Sequence, residues 1–371
     1  MTRFAAAAAG LAGLVGCAGA PARSAAPLDR PTRDDESRQT RQYNELEDDI
    51  LNSYERDEPP ELATGTIDPR IGSIRIGAGP DDVHLSGDRG RAPGRLPLDI
   101  DHSIRTEVRS KHLELTIALD QTAAWMSDEL SWRIDICGRT AVIPLRITAL
   151  YARDGDRWVT VFEHLSFGRA PAAGEGVAPR AIKTEVVSGD LRDELSGVLA
   201  RGLFREPHDP MVAAQSGGAL VLGPDAGDEW HGARVLAAQL PGGTLEDRRV
   251  GLVGRNPPTA TIAYWVGNYN ATVPARPGAA AGKARLRVSH VFEKRWFDTR
   301  DQPSEGKSCG LDDNQARDPA RRKDVEDHCR WMLVQSHMSQ PIQDEALIGL
   351  VFGTAPTAST PLQFDCSVVG R

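Results

Sequence analysis

Arg157-Trp158-Val159-Thr160-Val161-Phe162-Glu163-His164-Leu165-Ser166 and Arg330-Trp331-Met332-Leu333-Val334-Gln335-Ser336-His337-Met338-Ser339 are the two stretches on which the fold turns. In each, a tryptophan stands six residues before a histidine and a serine stands two residues after it. Strand side chains alternate, so residues two, six and eight positions apart share a face. The spacing predicts that Trp158, His164 and Ser166, and likewise Trp331, His337 and Ser339, point the same way. Recurrence of the whole pattern in the second half of the chain predicts an internal duplication.

Working outward, the order of elements repeats. Tyr43, Leu46, Ile50, Leu51 and Tyr54 fall at helical spacing and stop before Pro59-Pro60, and Leu191, Leu195, Val198, Leu199 and Leu203 form a second such stripe. Strands are expected at Ile71 to Ile76 and Ala219 to Leu222, each followed by a Gly/Pro/Asp turn in which Gly79-Pro80-Asp81 compares with Gly223-Pro224-Asp225. His112 to Leu119, Trp132 to Ile136, Ala141 to Tyr151 and Arg157 to Ser166 read as further strands, the last two joined by Arg153-Asp154-Gly155-Asp156. Ala124-Trp125-Met126-Ser127 matches Ala263-Tyr264-Trp265-Val266, which sets Asp128 opposite Gly267. Thirty-three residues separate Trp125 from Trp158 and sixty-six separate Trp265 from Trp331, so the second unit carries an insertion at its hairpin, about 297–330.

Composition narrows the class. The 371 residues are 40% apolar with a formal charge of −8, enough for two compact units and without the basic block a phosphate backbone requires, so no nucleic-acid partner is expected. Arg3 followed by the apolar run Phe4 to Val15 reads as a secretory signal, too short to span a bilayer. Leu14-Val15-Gly16-Cys17 resembles the lipobox of bacterial lipoproteins, which implies cleavage after Gly16 and acylation of Cys17, hence a membrane anchor in the cell envelope. Ala18, rather than Asp, after the cysteine implies the outer membrane over the inner. Four further cysteines, Cys137, Cys309, Cys329 and Cys366, allow three disulfide pairings in an oxidising compartment; Cys309 with Cys329 is favoured, leaving Cys137 with Cys366. A metal site at Cys309, His328 and Cys329 is the alternative, but adjacent His-Cys lacks the two-residue spacing of zinc sites, and no metal or cofactor is expected.

A helix, a first strand, a Gly/Asp-rich turn and long antiparallel strands closing on Trp-x5-His-x-Ser resemble the SnoaL-like branch of the nuclear-transport-factor-2-like superfamily, in two copies. The resemblance implies an α+β fold of two tandem cones, each a curved antiparallel sheet packed on N-terminal helices, with an apolar pocket at the open end. The resulting division is signal peptide 1–16, lipid anchor and tether 17–35, first domain 36–180, second domain 185–355 and tail 356–371. Residues 88–111 and 233–249 are the candidate positions for the remaining helices. Trp125, Trp158, His164, Ser166, Trp265, Trp331, His337 and Ser339 become pocket candidates. His164, His337 and Asp128 become the candidate acid/base groups, with Asp128 facing the same pocket as the histidines.

Three functions compete. Duplication without a duplicated carboxylate favours a noncatalytic module binding a small apolar ligand or an envelope protein. The alternative is an isomerase, cyclase or hydratase acting on an apolar carbonyl compound, with His164 or His337 as general base. The third is a structural pseudo-dimer whose sheets pack face to face, which implies a monomer. Phosphate loops, nucleophile elbows and His-Glu-x-x-His are absent from the sequence.

Overall fold

The computed structural model describes residues 33–56, 73–85, 105–136, 138–168, 178–179, 181–182, 185–186, 188–202, 219–224, 227–231, 243–253, 259–273, 282–298, 303–312 and 314–342. Cys17, Cys137, Cys366, the expected signal peptide and the C-terminal tail lie outside them. The fold is α+β, with two sheets drawn from successive halves of the chain. In the first half, helix α1 (Arg33–Arg56) precedes strands β1 (Ile74–Ile76), β2 (Val83–Leu85), β3 (Arg105–Ser110), β4 (Glu114–Ile117), β5 (Ala123–Ile136), β6 (Arg139–Asp154) and β7 (Arg157–Phe167). The second half holds β8 (Glu185–Val186), α2 (Gly189–Gly202), β9 (Leu220–Leu222), β10 (Glu229–His231), β11 (Gly243–Val253), β12 (Ile262–Val273), β13 (Gly282–Phe297), β14 (Pro303–Ser308), α3 (Pro319–His328) and β15 (Cys329–Ser339).

The two sheets have matching strand orders. The first runs β2-β1-β7-β6-β5-β3 and the second β10-β9-β15-β13-β12-β11, with β8 added at the end of the second. In both, the short first strand lies parallel to the last, with Ile76 beside His164 and Leu222 beside His337. This register makes Gly77 the counterpart of Gly223, correcting by two residues the sequence comparison that set Gly79 there. Each of these glycines donates its N–H to an aspartate carbonyl five residues on, at 2.8 and 2.7 Å. A Cβ at either position would lie 2.6 Å from the Cβ of Asp82 or Asp228, so the turn requires glycine.

Residues 105–110 and 243–253 are strands, so the ends of the two stretches put forward as helices belong instead to the sheets. Cross-strand pairing along β5 and β12 overrides their poor helical pattern. Helix α1 begins at Arg33, three residues inside the expected tether. Most of each helical stripe behaves as read: Leu46, Ile50 and Tyr54 of α1, and Leu191, Leu195, Val198 and Leu199 of α2, are buried against one face of their own sheets, whereas Leu51 is exposed and Leu203 lies outside the described residues. Gly155, at φ +61°, forms the two-residue turn between Asp154 and Arg157 that joins β6 to β7.

The corresponding β13–β15 connection is the insertion, and it is folded. It consists of β14 paired with β13, a single 3-10 turn at Gln315–Arg317, and α3, whose start is capped by Asp318 and Pro319. Trp296, Cys309, Leu311 and Val325 form a small separate core. Trp296 stacks on His328 at 4.9 Å, and the Lys307 ammonium sits 3.1 Å from the Trp296 ring centre. Cys309 and Cys329 form a disulfide across a sequence separation of 20 residues. Only Val325 of α3 is buried, so the disulfide carries much of the helix's order. Replacing both cysteines by alanine is expected to remove about 3 kcal/mol of local stability. Hydrogen exchange should show lost protection in α3 and β14 with little change at Leu286 to Phe292.

Candidate functional site

Each sheet has a helix-bearing face and a face turned to the other half. Ile74, Ile76, Trp125, Leu150 and Phe162 pack with Ile262, Tyr264, Val266, Val291 and Val334 in one apolar cluster between the sheets. All described strand pairings run within a half, so this seam is held by side chains and turns, together with a backbone bond from the Ile342 N–H to the Ala78 carbonyl at 3.3 Å. Burial on both faces explains why every residue of β7 from Trp158 to Phe167 is buried.

At the centre of the seam the two motif histidines meet. His164 and His337 are fully buried and stack at 4.0 Å with 22° between their planes. The His164 ring hydrogen-bonds through Nδ1 with Ser289 Oγ at 3.0 Å and through Nε2 with Ser339 Oγ at 2.8 Å. The His337 ring does the same through Nδ1 with Thr148 Oγ1 at 3.0 Å and through Nε2 with Ser166 Oγ at 2.8 Å. Thr148 lies beside His164 in the first sheet and Ser289 beside His337 in the second, so each ring is served entirely by hydroxyls of the opposite half. A neutral imidazole offers one donor and one acceptor, and a hydroxyl can take either role, so all four bonds form without charge.

Two arginines repeat the exchange. Arg287 reaches from β13 into the first half, where its guanidinium donates through Nη1 to the Gly77 carbonyl and through Nη2 to the Pro80 carbonyl, the latter at 2.7 Å. Arg146, its counterpart on β6, donates to the Gly223 carbonyl at 3.4 Å. The seam is closed further by Thr261 donating to Asp120, by the Leu119 N–H donating to Glu293 at 3.0 Å, and by Gln335 donating to the Met126 carbonyl at 2.9 Å.

The electrostatics follow from burial. Desolvation, with the neighbouring His337 and Arg287 adding to it, holds His164 well below the ordinary histidine range. Desolvation and Arg146 push His337 down to about 3. Burial lowers Arg287 to about 10, opposed by Asp82 and Asp81, and it stays charged at neutral pH.

The tryptophans do not share the histidine face. Trp158 and Trp331 lie in the helix-side cores, because one extra residue, Val161 in β7 and Val334 in β15, bulges each strand between tryptophan and histidine. A bulge reverses the alternation, so residues expected on one face end on two. Each of these tryptophans instead carries a cation from the adjacent strand: Arg153 lies 5.0 Å over Trp158, and Lys294 lies 4.9 Å over Trp331. Trp265 is on the helix side and Trp125 in the seam.

Asp128 is also separated from the histidines. It lies across the sheet on the helix side, where Tyr54 Oη donates to it at 3.1 Å and the His112 N–H donates at 3.1 Å; desolvation raises its pKa. On the same helix side of the sheet, Arg75 and Glu163 pair at 3.9 Å, both buried. The second half has Val221 and Ser336 in the corresponding places, with His290 bonded to Ser336 at 3.0 Å. Sequence reasoning missed Arg75, Glu163, Thr148, Ser289, Arg146 and Arg287. An Arg-Ile/Val-Ser/Thr tripeptide, Arg146-Ile147-Thr148 and Arg287-Val288-Ser289, was there as a duplicated signal.

Two sizeable cavities border the described residues. One of about 560 Å³ lies beside α1 and β4 between Gln39, Thr40, Tyr43, Leu115, Thr116 and Ile117. The other, about 580 Å³, is lined mainly by polar residues of β11 to β13, including Asn270, Lys283 and Arg285. None of the eight pocket candidates lines either. Among the described residues no helix is long and apolar enough to cross a membrane, and no group of histidine, cysteine or acidic side chains is placed to hold a metal ion. No protein-family model matches the chain, and no curated protein matches it in sequence.

The arrangement of Arg287 makes a direct forecast. Arg287→Met keeps most of the buried volume but strips two turn carbonyls of their donor, and is expected to cost about 3 kcal/mol. Urea unfolding of variant and parent reads the difference.

Proposed function

We propose that the chain is an exported, lipid-anchored, noncatalytic module in which two nuclear-transport-factor-2-like cones form a pseudo-dimer within one polypeptide and take up a small, largely apolar ligand. One observation carries the noncatalytic reading. The acid/base groups that occur in both halves, His164 and His337, are sealed in the seam with all four ring nitrogens bonded to hydroxyls, so neither ring has a free nitrogen to offer a substrate. Matched strand orders and cross-half bonding support the pseudo-dimer. The lipobox-like Leu14-Val15-Gly16-Cys17 supports the anchor. The cavity beside α1 supports ligand uptake: Tyr43, Leu115 and Ile117 supply an apolar wall and Gln39, Thr40 and Thr116 a few polar contacts, the usual balance of a small-molecule site.

The test has two arms. In the native host, Cys17→Ala is expected to move the protein from the membrane to the soluble fraction, and mass spectrometry of the N-terminal peptide should find acyl chains on Cys17. In a thermal-shift screen against fatty acids, steroids and polyketide-like compounds, at least one class should raise the melting temperature by a few degrees. Thr116→Trp, which fills the cavity, should abolish that shift, whereas His337→Gln should leave ligand affinity unchanged. Turnover of a carbonyl compound that His337→Gln eliminates would overturn the noncatalytic reading.

A further inference from the structure

We infer that the seam is an acid-sensitive joint: protonation of the stacked pair His164 and His337 drives the two halves apart while each half stays folded. The geometry supplies every part of the device. The rings lie face to face at 4.0 Å, so a charge on one falls directly on the other. Their four hydrogen-bond partners are the hydroxyls of Thr148, Ser166, Ser289 and Ser339, none of which can neutralise a proton.

The charges around the pair have the wrong sign for an imidazolium. Arg287 bears on His164 and Arg146 on His337, and His290, on the other face of β13, also disfavours charge on His164. Carboxylates near the seam are committed elsewhere. Asp81 and Asp82 act on Arg287, Glu163 pairs with Arg75 on the helix side of β7, and Asp120 and Glu293 accept from Thr261 and Leu119. At the exposed rim, His231 lies 3.7 Å from Glu114 of the first half. That contact is exposed on both sides and solvent-screened, so it bears little on the closed form.

Separation without unfolding is available because each half builds most of its own core, one around Leu46, Ile50 and Trp132 and one around Leu195, Trp265 and Phe292; Ile342 of the second half completes the first core, its N–H donating to the Ala78 carbonyl at 3.3 Å, and withdraws as the joint opens. No described strand pairing crosses between them. The sign is fixed by linkage. Closed, the rings are neutral and take up no second proton; open, they return to the ordinary histidine value of 6.5. Above that pH the closed form is at full strength. Below it, each unit of pH favours the open form by up to roughly tenfold per ring, or roughly a hundredfold for both, and for His337 this continues to a pH of about 3.

Small-angle scattering and far-ultraviolet circular dichroism of the full chain, in mild detergent, between pH 7.5 and 3.5 test the joint. The expected result is a rise in radius of gyration below pH 6 with the strand signal retained. In His164→Gln/His337→Gln, whose amides bond the same hydroxyls but do not titrate, the midpoint should fall by more than one pH unit. His112→Gln/His231→Gln, at the rim, should not lower it. An unchanged midpoint in the buried double variant, or loss of strand signal together with expansion, would overturn the inference. Should that variant fail to fold, two measurements on other material decide. His337→Gln alone should halve the slope of the logarithm of the opening constant against pH. In the parent protein, ring resonances of His164 and His337 that titrate near 6.5 in the closed form would refute the joint.

Discussion

A buried imidazole is tolerated only if both ring nitrogens find partners, and in this protein the partners of each ring belong to the other half of the chain. His164 depends on Ser289 and Ser339, and His337 on Thr148 and Ser166. Leaving such groups unsatisfied costs on the order of 1–3 kcal/mol each, so neither half can present its seam face to an apolar environment alone. The same reciprocity governs the turns, where Arg287 serves the carbonyls of Gly77 and Pro80. Apolar contacts among Phe162, Tyr264, Val291 and their neighbours supply the bulk of the adhesion, and the polar centre fixes the register in which they meet.

The seam faces keep their likeness, whereas the other faces have diverged. On the helix side, the first half holds Arg75 with Glu163 and Asp128 with Tyr54, while the second has Val221, Ser336 and Gly267 in those places. Burying Arg75, Glu163 and Asp128 carries a desolvation cost that a structural core has no need to bear. The second half instead carries the disulfide-bonded insertion, whose Gly310 packs against Asp120 of the first half and so bears on one end of the seam.

Much of this architecture is legible in the sequence, and what is not has a physical cause. Helical stripes, the Asp154-Gly155 hairpin, the repeated order of elements, the insertion and its disulfide partners are local patterns, and each emerges from spacing. The face on which His164 lies does not, because one extra residue at Val161 reverses the alternation and nothing about valine marks a bulge. The same applies to Val334. The fate of the histidine is a tertiary fact as well: a His-x-Ser pair reads alike whether it lines a pocket or completes a neighbour's hydrogen bonds. The strands β3 and β11 were obscured because charged residues break their apolar pattern, Glu107 and Arg109 in β3 and Glu246, Arg248 and Arg249 in β11, and their pairing with β5 and β12 is non-local. The two-residue error at Gly77 arose from matching the Gly-Pro dipeptides, while the backbone instead matches the glycine on which an aspartate packs.

Fusion changes what such an interface must do. Between separate chains, a seam has to overcome the loss of translational and rotational freedom, which favours a dry, strongly apolar centre. Within one chain the halves are held at an effective concentration in the millimolar range or above, so part of that demand is lifted. A polar centre of two imidazoles, four hydroxyls and two guanidiniums then becomes affordable, and it contributes specificity of register more than adhesion. It also constrains later change. Each histidine, hydroxyl and arginine at this polar centre is half of a reciprocal exchange, so a substitution there in one half strands a group in the other. The helix-side faces bear no such obligation, which is consistent with the asymmetric features, Arg75 with Glu163 and the cavity beside α1, having accumulated there.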